Sequence, residues 1–192
     1  MIRIAVMLSG RGSNFAAIHE AIHRKELDAQ IVCVISNRRG APGITKAIDW
    51  GYDAYVFDNR DYVSREAHEA EILRVLDGKK PDYIVLAGYM RLLSSAFVAK
   101  YPSRILNIHP SLLPQFPGVD AQAQAINAKA TKSGCTVHFV DEGLDSGAVI
   151  LQREVEVRAD DDALSLSTRI LEQEHIAYVE ALKKLAKGSE LH

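Results

Sequence analysis

Two polar residues, Asn107 and His109, lie two positions apart in the short apolar segment Ile105 to His109. Side chains alternate between the faces of a β-strand, so the Asn107 amide and the His109 imidazole point the same way, while Leu106 and Ile108 point into an apolar layer. An amide and an imidazole held side by side can donate hydrogen bonds to an oxygen that gains negative charge during a reaction. The pattern predicts a catalytic strand end.

The segment that follows this strand has little conformational freedom. Three of the six prolines of the chain, Pro110, Pro114 and Pro117, lie within it, and Gly118 comes directly after the last of them. Proline fixes φ and has no N–H group to donate. We therefore expect a rigid loop that keeps its shape without strand pairing.

A third group for chemistry is provided by the acidic segment Asp141 to Gly147. A reaction that develops such an oxyanion usually also moves a proton, which is work for a carboxylate or an imidazole, and Asp145 is the candidate. Two glycines and three acids suit a mobile connection at the mouth of a cleft. Each residue alone has an ordinary explanation: Asn107 could satisfy a turn, His109 could be a core histidine and Asp145 could cap a loop. Their combination favours catalysis.

A glycine-containing turn, Ser9 to Asn14, follows the first predicted strand and opens the first predicted helix. The N–H groups at a helix N-terminus favour an anion, so Gly12, Ser13 and Asn14 are candidates for binding a phosphate. Helix capping by Ser13 or Asn14 would explain the same residues equally well. Phe15 replaces the third glycine of a dinucleotide fingerprint, so an NAD site is not expected.

In combination, these motifs are similar to those of the folate-dependent formyltransferases. The segment from Asn107 to Pro114 with Pro117-Gly118, the acidic loop around Asp145 and the turn from Ser9 to Asn14 carry the resemblance, which extends from Ile2 to about Glu174. Three separated motifs in the right order are more specific than any one of them. The resemblance implies that the formyl group of 10-formyltetrahydrofolate is transferred to the glycine amine of glycinamide ribonucleotide, a step in purine synthesis.

The resemblance also implies roles for individual residues. Asn107 and His109 would act on the formyl carbonyl, and Asp145 would organise proton transfer. The implied contacts with the folate co-substrate are Arg65, Met90, Arg91, Leu92, Leu93, Val140 and Asp141. The implied contacts with the ribonucleotide are Gly12, Ser13, Asn14, Gly118 and Glu174.

For several of these positions the residue pattern alone leaves another explanation open. Met90, Leu92 and Leu93 could pack into the core, Arg65 could be a solvated helix cation, and Glu174 could be an exposed helix charge. Two positions also depart from the family, because Asp120 and Gln122 stand where its best-known members carry histidines. Asp120 could assist proton movement or mark a changed substrate, and the sequence does not decide between these roles.

The composition is that of an ordinary globular protein, with 192 residues, 47% hydrophobic and 25% charged. One domain is expected, located in the cytoplasm, with no membrane partner. The net charge of -2 gives no long-range attraction to nucleic acid. Arg38 and Arg39 could hold a 2'-phosphate, which keeps an NADP site as a weaker alternative.

Neither the cysteines nor the histidines show the spacing of a metal or redox site. Cys33 and Cys135 lie in separate apolar runs and are expected to be buried, inert thiols. His109, His138 and Asp145 are suitable metal ligands by type, but their spacing gives little support, and His138 is explained more simply as a polar residue beside the core. No metal is expected.

Short apolar runs alternate with amphipathic stretches, which predicts an α/β fold with a doubly wound, mostly parallel sheet. An antiparallel extension is expected where two strand-like runs are joined by a loop too short for a helix. In the last helix, a stripe of Leu164, Leu171, Tyr178, Leu182 and Leu185 is expected to pack on the sheet. The predicted strands are Ile2 to Leu8, Ile31 to Ser36, Ala54 to Phe57, Tyr83 to Ala87, Ile105 to His109, Cys135 to Val140 and Val149 to Val157. The predicted helices are Phe15 to Lys25, Gly43 to Trp50, Tyr62 to Leu76, Ser94 to Lys100 and Ala163 to Lys187.

Other functions compatible with these motifs are a formyltetrahydrofolate hydrolase, which uses water as the acceptor, and a non-catalytic nucleotide-binding module. A hydrolase would be expected to carry a regulatory domain in front of the first strand. A methionyl-tRNA formyltransferase would be expected to carry a further domain after the catalytic one. A homodimer is compatible with the sequence, which offers no argument for it.

Overall fold

The computed structural model describes residues 1–188, in which strands and helices alternate along most of the chain. A short 3-10 helix covers Asn59–Asp61. The strands are β1 (Ile2–Leu8), β2 (Ala29–Ser36), β3 (Ala54–Val56), β4 (Tyr83–Leu86), β5 (Ile105–His109), β6 (Lys132–Phe139) and β7 (Val149–Glu156). The helices are α1 (Ser13–His23), α2 (Pro42–Asp49), α3 (Arg65–Lys79), α4 (Ser95–Lys100), α5 (Ala121–Asn127) and α6 (Ala163–Ala186).

The seven strands have the order β3-β2-β1-β4-β5-β6-β7. β1 pairs in parallel with both β2 and β4, and β2 pairs in parallel with β3. The chain runs outward from β1 to β3 and then returns to β4 on the other side of β1, which is the reversal that defines a doubly wound sheet. β6 and β7 pair antiparallel. The predicted α/β class, with a mostly parallel sheet and an antiparallel extension, is confirmed.

The chain divides into two compact units, one from Met1 to Leu106 and one that starts at Asn107. In the first unit, β1 is the most deeply buried strand, and the side chains from Ile4 to Leu8 have no exposed surface. In the second unit, α6 packs against β6 and β7. The expectation of one domain over the whole chain stays a prediction.

The packing face of α6 differs from the predicted stripe. Leu164 is 75% exposed, and Leu171 is only half buried. At 100° per residue, both positions fall near the edge of the buried arc, roughly 70 to 90° from its centre. The side chains that form the buried arc are Leu166, Ile170, Glu174, Ala177, Tyr178, Ala181, Leu182 and Leu185.

Both cysteines are free and buried, as predicted. Burial raises the pKa of the Cys33 thiol to about 12 and that of the Cys135 thiol to about 12. Among residues 1–188, no helix combines the length and the apolar character needed to cross a membrane.

The buried imidazole of His68 in α3 makes the free energy of unfolding depend on pH. Its ring is 1% exposed, Nε2 lies 2.8 Å from the Phe57 carbonyl oxygen, and Nδ1 has no hydrogen-bond partner. Burial lowers the pKa of His68, since the charged ring loses solvation. The folded protein therefore binds this proton less readily than the unfolded chain. The contribution of the neutral His68 to the free energy of unfolding is fully present above the unfolded pKa of about 6.5, and it is lost as the pH falls toward the lower folded pKa.

We predict that the free energy of unfolding decreases between about pH 7.5 and pH 5 and that His68→Gln reduces this decrease. Glutamine can still donate to the Phe57 carbonyl but does not titrate in this range. Urea denaturation at a series of pH values measures the effect. Identical pH dependence in the variant and the unmodified chain would show that His68 does not contribute.

Candidate active site

The side chains of Asn107 and His109 lie on the same face of β5, because the two residues are two positions apart on a strand. Asn107 is half buried and His109 is 5% exposed. The His109 Nε2 atom lies 2.8 Å from the carbonyl oxygen of Phe116. A carbonyl oxygen can only accept, so Nε2 carries the hydrogen and Nδ1 is the ring atom that can gain or lose a proton.

The Nδ1 atom of His109 faces Asp145. It lies 3.3 Å from Asp145 Oδ2, and both side chains are largely buried. The same oxygen accepts a hydrogen bond from the backbone N–H of Gly118 at 2.9 Å. The carboxylate is thus held between the imidazole and a backbone donor, a geometry in which it can exchange a proton with a group at this site.

A second imidazole, that of His138, reaches Asp145 from β6. His138 Nδ1 lies 2.8 Å from the Phe139 carbonyl oxygen and therefore carries the hydrogen of the neutral ring. Nε2 is buried without a hydrogen-bond partner and lies 3.7 Å from Asp145 Oδ1. Burial lowers the pKa of His138 and favours the neutral ring. A proton carried by either group would make this contact attractive.

The sequence interpretation left His138 outside the site, as a polar residue beside the core. It is buried, at 2% exposure, and it also contacts the candidate carboxylate Asp145. The sequence contains one indication of where the His138 side chain lies. His138 is two residues after Thr136, so both side chains are on the same face of β6. Which loop covers that face was not visible in the pattern.

The proline-containing loop is held by side chains rather than by strand pairing. Thr136 Oγ1 accepts from the backbone N–H of Leu113 at 3.0 Å and donates to the carbonyl oxygen of Ser111 at 2.7 Å. Gln152 donates from Nε2 to the carbonyl oxygen of Leu113 at 2.8 Å and to Thr136 Oγ1 at 2.9 Å. Gln124 donates from Nε2 to the carbonyl oxygens of the loop end, at Pro117 and Val119. These bonds fix the loop that presents Phe116 to His109.

The acidic loop from Asp141 to Gly147 is organised by its own first residue. Asp141 Oδ1 accepts from Gly143 N–H at 3.0 Å and from Ser146 Oγ at 2.8 Å. Asp145 itself has a φ of 52°, in the left-handed region. At the base of the loop, a Cβ atom added to Gly147 would lie 1.8 Å from the Phe139 carbonyl oxygen.

We predict that Gly147→Ala lowers kcat/KM by at least about 100-fold, the effect expected when a catalytic group is displaced by about 1 Å. The added methyl group collides with backbone at Phe139, so the loop and Asp145 must move. Gly143→Ala is the control in the same loop, because its Cβ meets the exposed Ser146 side chain, which can rotate away. Equal activity of both variants would contradict this assignment. Steady-state kinetics on protein of verified fold make the comparison.

In the first unit, Gly12, Ser13 and Asn14 form the start of α1. Gly12 is the N-cap residue, with a φ of 66°, and the helix begins at Ser13. Neither Ser13 nor Asn14 is therefore the capping residue, which removes the structural explanation considered from sequence. A Cβ atom on Gly12 would lie 3.2 Å from the Cα atom of Gly43, so the turn packs closely against α2.

The segment after β4 also belongs to the first unit, and two of its apolar side chains are largely exposed. Met90 and Leu92 are each 70% exposed, whereas Leu93 is half buried. The alternative that these residues pack into the core is therefore wrong for Met90 and Leu92. Arg91 is half buried.

The remaining predicted contacts are distributed over both units. Arg65 is the exposed first residue of α3, with Nε 3.9 Å from Glu66 Oε1. Val140 is half buried at the end of β6. Glu174 is 9% exposed on α6, so the alternative of an exposed helix charge is wrong for this residue. The ligand-contact roles of these residues stay predictions.

The two positions that depart from the family lie at the start of α5. Asp120 is exposed, has a φ of 56° and is the N-cap residue, but its side chain makes no capping hydrogen bond. Gln122 is half buried in the first turn. The role of Asp120 stays open. Within residues 1–188, no group of three or more His, Cys, Asp or Glu side chains is arranged to hold a metal ion.

Comparison with known proteins gives a consistent result over nearly the whole chain. The family model described as Formyl transferase matches residues 2–182. Phosphoribosylglycinamide formyltransferase of Escherichia coli (strain K12) is 40% identical over 187 residues, which are 97% of this chain and 88% of that protein. The crystal structure of glycinamide ribonucleotide transformylase 1 from Symbiobacterium toebii is 43% identical with a TM-score of 0.96, and the match covers 100% of this chain and 91% of that one.

A longer relative matches as well. The trifunctional purine biosynthetic protein adenosine-3 of Drosophila melanogaster is 46% identical over 191 residues, which are 98% of this chain. The match spans only 14% of that protein's length.

Proposed function

Because this chain belongs to the formyl transferase family, we propose that it transfers the formyl group of 10-formyltetrahydrofolate to the glycine amine of glycinamide ribonucleotide, a step of purine synthesis. The observation that carries the proposal is the pairing of His109 with Asp145, at 3.3 Å between Nδ1 and Oδ2, beside Asn107 on β5. Formyl transfer between nitrogens needs donors for an oxyanion and a group that moves one proton, and these residues provide both.

In the proposed reaction, the amine nitrogen forms a bond to the formyl carbon while the carbonyl π electrons move onto oxygen. The Asn107 amide donates a hydrogen bond to this oxyanion, and His109, when protonated at Nδ1, adds a positive charge nearby. The Asp145 carboxylate takes the proton that the attacking amine loses. The oxyanion then re-forms the carbonyl, the bond to the folate nitrogen breaks, and that nitrogen takes the proton.

The surroundings of Asp145 fit this role. Gly118 N–H and His109 hold Oδ2, while Oδ1 faces the bare Nε2 atom of His138. The carboxylate therefore has one oxygen directed toward each imidazole, and the Gly118 N–H group holds Oδ2 whether or not either ring carries a proton. A fixed carboxylate needs no reorganisation when the proton moves.

We further propose that the chain acts as a single formyltransferase domain in the cytoplasm, on small molecules rather than on nucleic acid. The predicted contacts would divide into a phosphate turn at Gly12 to Asn14, ribose contacts near Glu174 and a folate site that includes Met90 to Leu93. Equilibrium sedimentation of the purified chain decides between a monomer and a homodimer.

Product analysis with glycinamide ribonucleotide and 10-formyltetrahydrofolate tests the proposed function. Formylated ribonucleotide should appear in equal amount to tetrahydrofolate. Formate released at the same rate with and without the ribonucleotide would instead identify a formyltetrahydrofolate hydrolase. Binding of the ribonucleotide without turnover would identify a nucleotide-binding module.

A further inference from the structure

Two loop segments of the first unit lie at the point where the strand order reverses. The turn segment, Ser9 to Asn14, follows β1, and the edge segment, Gly88 to Leu93, follows β4. β1 and β4 are parallel neighbours, so the two segments leave the sheet at the same edge. Ligands of doubly wound sheets bind in the crevice at such a reversal.

The Ser9 hydroxyl joins these two segments directly. Its Oγ atom accepts a hydrogen bond from the backbone N–H of Met90 at 2.8 Å and donates to Asn37 Oδ1 at 2.5 Å. The Ser9 backbone N–H donates to the Gly88 carbonyl oxygen at 3.0 Å. Ser9 is 4% exposed and Asn37 is 2% exposed, so the bond between them is shielded from solvent, and the bond from Met90 N–H is partly buried.

A second connection reaches the edge segment through Asn59. The Asn59 backbone N–H lies 3.3 Å from the Asn37 carbonyl oxygen. With the Asn59 amide oriented to satisfy both of its ends, Nδ2 donates to the same carbonyl at 3.0 Å and Oδ1 accepts from Arg91 Nη1 at 2.9 Å. Ser9, Asn37 and Asn59, which we call the polar brace, therefore hold two consecutive residues of the edge segment.

Tyr89 anchors the start of the edge segment in the core, but the exposed part at Met90 and Leu92 has no such anchor and needs other support. Met90 and Leu92 are each 70% exposed and make no contribution to the core. Large apolar side chains held at a sheet edge offer a surface to a flat apolar ligand. A surface of this kind binds tightly only if it is ordered before the ligand arrives.

We propose that Ser9 is a positioning residue that sets the edge segment for binding the folate co-substrate, with Asn37 and Asn59 completing the support. This inference rests on the proposed function, because it takes the ligand of the edge segment to be a folate. Ser9 acts through the Met90 N–H group and does not touch the reacting atoms. An alanine at position 9 would fill nearly the same space but would leave the partly buried N–H group of Met90 without its acceptor.

The test compares Ser9→Ala with the unmodified chain by calorimetric titration with tetrahydrofolate and, separately, with glycinamide ribonucleotide. We expect the Kd for tetrahydrofolate to rise about 10-fold, because losing the acceptor for one partly buried N–H group costs about that factor. The Kd for the ribonucleotide should change by less than about 2-fold, a margin within the usual effect of surface changes. A general loss of stability would reduce the number of binding sites and leave both Kd values unchanged.

Ser133→Ala is the matched control, because Ser133 is 1% exposed and its hydroxyl has no hydrogen-bond partner. Asn59→Ala and Asn59→Asp give an independent measurement if Ser9→Ala does not fold. The alanine variant loses the acceptor for Arg91, whereas the aspartate keeps one. We expect weaker tetrahydrofolate binding for the alanine only.

Unchanged tetrahydrofolate affinity in folded Ser9→Ala, or in folded Asn59→Ala where Ser9→Ala does not fold, would overturn the inference. That result is separable from a failure of the proposed function. The latter would appear in the unmodified chain, as an absence of formylated ribonucleotide or of tetrahydrofolate binding, before any variant is compared.

Discussion

Replacing Asp145 with asparagine is expected to lower kcat by about 10²- to 10⁴-fold, the usual contribution of a positioned proton-transfer group. Asparagine has almost the same shape, and its amide oxygen can still accept from Gly118 N–H, so the loop should keep its position. The amide cannot take the proton of the attacking amine, and it places no negative charge beside His109. Steady-state kinetics with saturating co-substrates measure the loss.

Affinity for the ribonucleotide separates this effect from a damaged protein. We expect the Kd of Asp145→Asn for glycinamide ribonucleotide to stay within about 2-fold of the unmodified value. The amide has the same shape as the carboxylate and differs only in lacking its negative charge. Glu142→Gln is the control, because it removes an exposed negative charge from the same loop. A kcat of Asp145→Asn equal to that of Glu142→Gln would exclude Asp145 as the proton acceptor.

The second large effect is expected for His109→Ala, with a decrease in kcat of about 10²- to 10³-fold, the usual result of removing one electrostatic contribution to the stabilisation of an oxyanion. The substitution removes the Nδ1 atom that faces Asp145 and breaks the bond between Nε2 and the Phe116 carbonyl oxygen. Loss of that bond also loosens the loop after β5, so part of the effect will be structural.

His68→Ala controls for the structural part. Its Nε2 atom also lies 2.8 Å from a backbone carbonyl oxygen, that of Phe57, and its ring is equally enclosed. Both variants should lose stability by a similar amount, and only His109→Ala should lose turnover per folded molecule. Thermal unfolding and active-site titration measure the two quantities. A similar loss of kcat in both variants would mean that His109 acts only in packing.

The regular elements followed from local patterns, and two of the strands agree in both bounds. β1 and β5 begin and end where predicted, because each is a short apolar run between turn residues. α5 was not predicted, since its sequence alternates Ala and Gln and shows no apolar stripe. α3 begins at Arg65 rather than Tyr62, because the Ser64 hydroxyl accepts from Ala67 N–H and sets the N-terminus there.

The site was predictable only as far as strand alternation reaches. The shared face of Asn107 and His109 follows from their spacing, but the approach of Asp145 to His109 joins residues 36 positions apart and depends on how a loop folds back. The contact of His138 with the same carboxylate was missed for this reason. The acidic loop and the resemblance to a family indicated Asp145, whereas its contacts with His109, Gly118 and His138 follow only from the structure.

The high pKa of the two cysteines determines how the protein responds to reagents that attack thiols. With a pKa of about 12, each thiol is ionised in only about one molecule in 10⁵ at pH 7, and the thiolate is the reactive form. Iodoacetamide should therefore leave the folded protein active, and adding a reductant should change nothing. A cysteine-directed reagent would then leave the proposed activity of this chain intact at concentrations that inactivate enzymes with exposed, reactive thiols.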